Sequence, residues 1–543
     1  MASTETVNLD ALIPRADMLS MKAAPSGGGI PVSNLRITEH YYKLLRKPNF
    51  QRETDDWSID NVVSLIKSFR DAHLIPTVIL WAGEGNIFVI DGAHRLSVFI
   101  AWINDDYGDK HISQGYFHNS IPKRQKDIAR KCRERINAEG LTYSALTALA
   151  ELHIRTTQQA RWSTNIARNV ETQWVTGDAS VALQSFLDIN RRAVLIDKTE
   201  RHMIEHMNTP AVIAARAIVN NARGHAYWGS FNEANISTIV SKSKKAYDAI
   251  FEPEDAEAHR SSELQPAGAA HTANGLRLAL DLVTLINEPK TNEKKPRKKR
   301  RKNDEPEEPK EEMLADSDGT LTARYVERTY GVVKYIAGNE AASLGLHPSV
   351  YFWAQTGNHR PTLFLAVVSM VQEMVERNEL IKFTMHRAAF EEFLVGKSSI
   401  AKQILGKYGG WLKSLSAAKK MLRIVLDGTA DGKSADEIEA ILFQETAKSG
   451  QESDLASTGS SNKWRETKSA IRIKASLENA PRCPICKARL VLSQASDDHI
   501  LRVADGGANH RENAQLTHRY CNHGFKEHFV SKGQPLPEIV IPA

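Results

Sequence analysis

Between residues 288 and 312 the chain reads "EPKTNEKKPRKKRRKNDEPEEPKEE", with almost nothing apolar in it. A basic block from Lys294 to Lys302 is followed at once by an acidic one. Such a stretch has no apolar surface whose burial could offset the entropy of ordering it, so no core forms from it. It is expected to be a linker or a long exposed insertion. Its basic block either holds nucleic acid or is merely solvated beside its own acidic neutraliser, and the sequence leaves both open. A second seam, "SGQESDLASTGSS" at 449–461, is rich in Ser and Gly and reads as a joint. With 543 residues, three to four domains of about 150 residues each are expected.

The two seams give an N-terminal extension at 1–29, a mixed block at 30–287, a charged linker at 288–314, a helical block at 315–448, a joint at 449–461 and a terminal module at 462–543. The mixed block alternates strand-like runs ("TVILWA", "NIFVID") with helical ones ("NVVSLIKSFRDA", "DIARKCRERINAEG"), an α/β or α+β pattern. In the helical block, "RPTLFLAVVSMVQEMVERN" and "WLKSLSAAKKMLRIVLDG" carry apolar residues at three- and four-residue spacing. The second is expected to stop at Gly428. No apolar run reaches the roughly 18 residues of a membrane span, and the N-terminus lacks a basic region followed by an apolar core. A membrane partner and a secretory route are therefore not expected. Four cysteines in the chain argue against a disulfide framework and fit a reducing cytoplasm. The net charge of +6 is too modest to identify a polyanionic partner.

Three of those cysteines lie in the terminal module, in informative places. Cys483-Pro-Ile-Cys486 is a C-x2-C pair, and His518-Arg-Tyr-Cys521 is an H-x2-C pair. Two short-spaced pairs suit the tetrahedral set of thiolate and imidazole that Zn²⁺ prefers. A small module with few large apolar groups also gains stability from a metal. Cys132, on a basic amphipathic helix, is read as a packing thiol. "GTADGKS" at 428–434 has one residue too few between its glycines for a phosphate-binding loop.

Between the two pairs stand Asp498-His499-Ile500, Gly506-Gly507, Asn513 and, after the last cysteine, Asn522-His523 with Lys526 following. This order resembles the HNH (ββα-metal) nucleases flanked by cysteine pairs, with His518 in place of the third cysteine. The resemblance covers about fifty residues. It implies that His499 is the general base activating water and that Asp498 is a ligand of a catalytic cation. It further implies that Asn513 holds the loop and orients His499, and that Asn522 is a second cation ligand, a role His523 could take instead. The chemistry is consistent: histidine supplies a base near neutrality, and hard oxygen ligands suit Mg²⁺ or Mn²⁺ while the sulfur-rich set selects zinc. Lys526 and, upstream, Arg465, Lys468 and Arg472 at helical spacing are candidate DNA contacts.

In the mixed block, "NIFVIDGAHRLSVFIAW" reads as a strand, a turn Asp91-Gly92-Ala93-His94-Arg95 and a helix from Leu96. A strand–glycine–helix turn offers backbone N–H groups and an arginine to phosphate. The stretch resembles the DGQHR/DGQQR signature of the ParB/sulfiredoxin-like fold, found in GmrS-like and DndB-like proteins of bacterial modification and defence systems. Phe50-Gln51-Arg52 with Trp57, and Phe186, Ile189 and Asn190 closed by Glu200, match further pieces of that family. The resemblance implies a nucleotide- or phosphate-binding site of Asp91, Gly92, His94, Arg95, Gln51 and Arg52. Ala93 stands where the family has Gln, which puts NTP hydrolysis in question.

The expected protein is thus a multidomain α+β chain. A ParB/sulfiredoxin-like N-terminal domain, a helical middle and a C-terminal ββα-metal module with a zinc knuckle follow one another. By resemblance it is a metal-dependent DNA endonuclease of restriction-like or antiphage defence type, regulated through its N-terminal domain. DNA, a nucleotide and a second copy of the chain are its candidate partners. Two rival readings are a DNA-binding regulator with a structural zinc module, and an NTPase with DNA as effector.

Overall fold

The computed structural model describes the chain outside residues 1–5, 17, 19–27, 50–56, 84, 118, 120, 193–197, 252–263, 269, 271–272, 288–314, 399, 402, 404–410, 448–470, 472 and 540–543. The chain divides into two units. One comprises Met1–Met207 with Arg223–Tyr227, the other Asn208–Ala222 with Trp228–Ala543.

The first unit is built on a mixed five-stranded sheet. Strands β1 (Arg15–Ala16), β3 (Leu45–Pro48), β4 (Val78–Gly83), β5 (Asn86–Asp91) and β7 (Thr172–Val175) lie in the order β1-β3-β5-β4-β7, and β2 (Ile30–Pro31) pairs separately with β6 (Asn169–Val170). Only the β4–β5 hairpin in the sheet is antiparallel. Side chains alternate across a strand, and here both faces are apolar. Val78, Leu80, Ile87 and Val89 join a core with Ile66 and Phe69 of helix α1 (Ile59–Arg70), Leu96 and Phe99 of α2 (Ala93–Asn104), and Cys132 of α3 (Lys123–Ala138). Trp81, Phe88 and Ile90 on the other face meet Ala182, Phe186 and Leu187 of α4 (Ala179–Arg192). The buried Cys132 thiol is pushed up to about 12 by burial, as a packing residue should be.

Two expectations need correction here. Described residues before 30 pack into the fold, since Val7, Leu9, Leu12 and Ile13 are core residues and β1 extends the sheet. Helix α2 begins at Ala93, not Leu96, because Gly92 at φ +88° turns the chain directly out of β5. A Cβ there would lie 2.8 Å from Arg95 Nη2 and 3.1 Å from Val78 Cγ2, which explains the glycine.

The second unit is helical apart from its last eighty residues. Helix α5 (Pro210–Val219) is buried at every position but Ala211, and α6 (Glu233–Ile250) and α7 (Ala273–Asn287) pack on it with α8 (Thr320–Ile336). Helices α9 (Pro361–Glu376), α10 (Leu380–Gly396), α11 (Trp411–Ala430) and α12 (Ala435–Ala447) follow. The main division of the two units lies at 207/208, with Arg223–Tyr227 returning to the first, and the charged stretch falls within the second unit's sequence. That stretch joins two helices of one unit, with Asn287 Nδ2 donating across to Tyr325 O and Thr329 Oγ1, both at 3.3 Å. Gly428 does not end its helix: α11 continues to Ala430. The glycine is required because a Cβ would sit 2.7 Å from Ile438 Cγ1 of α12. Among the described residues no helix is long and apolar enough to cross a membrane.

Candidate active site and metal centre

The terminal module begins with a tight turn. Cys483 N donates to Ala488 O at 2.9 Å and Lys487 N to Cys483 O at 2.8 Å, with Lys487 at φ +60°. This turn points Cys483 and Cys486 at His518, the last residue of strand β9 (Ala514–His518), and Cys521. All four ligand atoms lie within 4.8 Å of one another and all four residues are buried. His518 Nε2 donates to Arg489 O at 2.9 Å, so its Nδ1 presents the lone pair, 3.3 Å from Cys486 Sγ and 3.8 Å from Cys521 Sγ. A carbonyl that fixes the histidine tautomer is the usual outer partner of a metal-bound imidazole. Burial pushes the Cys486 and Cys521 thiols up, whereas at Cys483 hydrogen bonds from those two thiols work against burial and hold it low. A divalent cation bound there would take the sulfurs as thiolates and offset the cost of burying their charge. The residues form a Cys3His metal-binding cluster.

Helix α10 supplies the wall behind it, with Ile381 and Met385 packed on the cluster's apolar shell. Arg387 and Glu391 of that helix are fully buried and paired at 2.9 Å. Arg387 also donates to Leu344 O at 2.6 Å and Gly345 O at 3.2 Å, and Arg489 N donates to Glu391 Oε2 at 2.9 Å.

Strand β8 (Ala495–His499) runs antiparallel to β9, with His499 opposite Ala514 and Asp498 opposite Gln515. Alternation buries Ser496 and Asp498 and leaves Asp497 and His499 on the open face. The loop between the strands closes through Asn513. Its Oδ1 accepts from Leu501 N at 2.8 Å, and its Nδ2 donates to Leu501 O at 2.8 Å and Ala508 O at 2.9 Å. Gly507 lies against this closure, where a Cβ would come within 2.0 Å of Leu501 O. His499 Nε2 meets Asn509 Oδ1 at 2.8 Å.

After Cys521 the chain takes a π-helical turn, Cys521–Lys526. An i→i+5 turn brings residues five apart onto one face, here Cys521 on the metal cluster and Lys526 beneath the hairpin. Lys526 Nζ donates to Asp498 Oδ1 at 2.8 Å and also to His499 O, while Gln515 Nε2 donates to Asp498 Oδ2 at 2.7 Å. Asn522 Nδ2 donates to Ser496 Oγ and Asp497 O, both at 3.1 Å, while His523 is exposed.

The structure thus gathers Asp498, His499, Asn513, Asn522 and Lys526 around one hairpin, with three departures from expectation. Lys526, expected on DNA, is 4% exposed and committed to Asp498. Both oxygens of Asp498 are engaged by protein donors. Asn513 bonds only to the loop backbone, and the side chain against His499 is Asn509, which sequence reasoning missed together with Gln515. An asparagine within the loop after D-H was the available signal for the first; nothing local marks the second. Arg465, Lys468 and Arg472 lie outside the described residues.

In the first unit, Arg95 Nη2 pairs with Asp91 Oδ2 at 2.9 Å and donates to Thr77 O at 3.2 Å. His94 stacks on Trp57, with ring centroids 5.8 Å apart and an interplanar angle of 18°. Gln51 and Arg52 lie outside the described residues, as do the side chains of Asn190 and Glu200. The reading from sequence also missed a buried cluster beside this sheet: Lys47 Nζ reaches Asp10 Oδ1 at 2.5 Å, and Arg15 Nη2 reaches it at 3.1 Å.

Comparison with known families decides between the readings. Residues 33–207 match the N-terminal domain of the GmrSD restriction endonucleases, and residues 483–525 match the HNH endonucleases. The chain is a restriction-type nuclease. The first match ends at Met207, where the first unit's main segment also ends. The second begins at the first cysteine of the metal cluster. A nuclease pairing these two domains has DNA as its substrate, and a regulator with an inert module is not favoured. No curated protein and no solved structure matches the chain.

Proposed function

We propose that this nuclease hydrolyses DNA phosphodiesters in the cytoplasm with His499 as general base, zinc in the Cys3His cluster, and Mg²⁺ or Mn²⁺ as catalytic cation. The observation that carries the reading is His499 on the open face of the hairpin, with Nε2 held at 2.8 Å and Nδ1 left as the basic nitrogen. Nδ1 takes the proton of a water whose oxygen bonds to phosphorus, and the P–O bond to the leaving strand breaks.

Soft donors, complete burial and the His518–Arg489 bond favour zinc in the Cys3His cluster. Asp498 and Asn522 are the oxygen donors for the second cation; bonds from Asn522 Nδ2 fix that amide with Oδ1 as its ligating end. The Lys526 ammonium now neutralises Asp498, so a cation there must share or displace it. When bound, that cation would neutralise charge on the phosphate and leaving oxygen. In the N-terminal domain, read as ParB/sulfiredoxin-like, Asp91, Gly92, His94 and Arg95 would bind a nucleotide or sense modified DNA. Ala93 weighs against NTP hydrolysis.

Supercoiled plasmid, modified and unmodified, with Mg²⁺, Mn²⁺ or EDTA and with or without NTP, tests this. His499→Ala should slow cleavage by at least about 100-fold, the lower range for loss of a general base. Equal cleavage by wild type and His499→Ala refutes the assignment. Phosphate release that needs Arg95 would establish NTP turnover.

A further inference from the structure

We infer that Asn509 is the residue that orients His499 and fixes its tautomer, while Asn513 acts only on the loop backbone. The inference rests on His499 being the base and adds a positioning residue to it. An amide oxygen can only accept, so the 2.8 Å contact from His499 Nε2 to Asn509 Oδ1 requires the proton on Nε2 and leaves the lone pair on Nδ1. Asn513 cannot do this, because its oxygen takes Leu501 N and both its N–H groups are committed to Leu501 O and Ala508 O.

Those bonds nevertheless explain how an exposed loop residue comes to hold a catalytic ring in place. Asn513 grips Ala508, the residue immediately before Asn509, and Ile500 N donates to Asn513 O at 2.9 Å, immediately after His499. The far side of the loop is tied down by Arg502, which pairs with Asp505 at 3.1 Å and Glu527 at 3.0 Å. Asn509 therefore sits on a closed loop whose two ends are fixed, and its side chain reaches back over the hairpin to the imidazole. A ring held in one orientation with one tautomer needs no reorganisation before it takes a proton.

The test uses the full-length, zinc-loaded protein with Mg²⁺, measuring single-turnover cleavage and the DNA concentration for half-maximal rate. Asn509→Ala should slow the single-turnover rate by about 10–100-fold, the range for loss of an outer partner of a functional histidine. Half-saturating DNA, zinc content and melting temperature should stay unchanged, since Asn509 is exposed. Asn509→Asp keeps an acceptor oxygen and should retain most of the rate. Asn513→Ala should instead lower the melting temperature. Wild-type rate in Asn509→Ala overturns the inference, as does Asn509→Asp falling as low as Asn509→Ala. A change confined to half-saturating DNA would place Asn509 on the substrate and equally overturn it. His499→Ala separates the two levels: if it also cleaves normally, the base assignment fails; if it is inactive while Asn509→Ala is not, only the role of Asn509 fails.

Discussion

Asp498 and Lys526 form a buried pair, 4% and 5% exposed at their side chains, and neither has water to replace the other. A buried pair contributes little net stability over an apolar one, but removing one partner strands a charge. Lys526→Met should therefore destabilise the protein by about 3–5 kcal/mol in denaturant unfolding. The double change Asp498→Asn with Lys526→Met should recover part of that loss. A single change costing under about 1 kcal/mol would mean that Lys526 leaves Asp498 readily. This coupling was only half legible in the sequence. The D-H dipeptide and a following lysine stand out as a motif, yet the motif does not say that the lysine belongs to the carboxylate rather than to DNA. That follows from two periodicities acting together. The strand turns Asp498 inward, and the π turn places Lys526, five residues past Cys521, beneath it.

At the level of elements, the hairpin loop shows why some residues could be read in advance and others not. Cys483, Cys486, His518 and Cys521 were legible because each pair is local, and two local pairs imply a common ligand. The G-G of the loop was visible, but what requires Gly507 is the close approach of its backbone to Leu501 O across the loop. The same holds for Gly428, read as a helix stop yet required by Ile438 from the next helix. Composition and spacing mark where a glycine is; only the packed chain says what leans on it. The loop also makes the two glycines separable. Gly507→Ala must push Leu501 away, at an overpacking cost of about 1–3 kcal/mol. It should pull Asn509 off His499, cutting cleavage at least tenfold while zinc stays bound. Gly506→Ala meets open space and carries only left-handed backbone strain at φ +92°, about 1–2 kcal/mol. Its cleavage should fall less than that of Gly507→Ala. The reverse order would show that loop closure does not govern the site.

For the whole molecule, the charged stretch at 288–312 looked like a domain boundary because nothing in it can be buried. Unburied is not the same as between domains: Asn287 and Thr329 bond to each other across it. The joint at 449–461 likewise suggested a free-standing terminal module, but the metal cluster shares its shell with the helices. Tyr520 N donates to Ser343 O at 2.9 Å, Gly338 N to Gln494 Oε1 at 3.0 Å, and Arg482 pairs with Glu392 at 2.6 Å. Most telling is Glu391 of α10, which is fully buried, pairs with Arg387 at 2.9 Å and accepts from Arg489 N of the module at 2.9 Å. Metal and helices should then unfold together. Stripping zinc with a chelator, or Cys486→Ser, should lower in one calorimetric transition the melting of both the nuclease module and the helices from 320 to 447, while the melting of the N-terminal unit stays in place. Arg387→Met should reproduce much of the same shift by leaving Glu391 buried without its partner, at about 3–5 kcal/mol. Helices that melt at an unchanged temperature once zinc is gone would show that the terminal module stands alone, as its flanking joint first suggested.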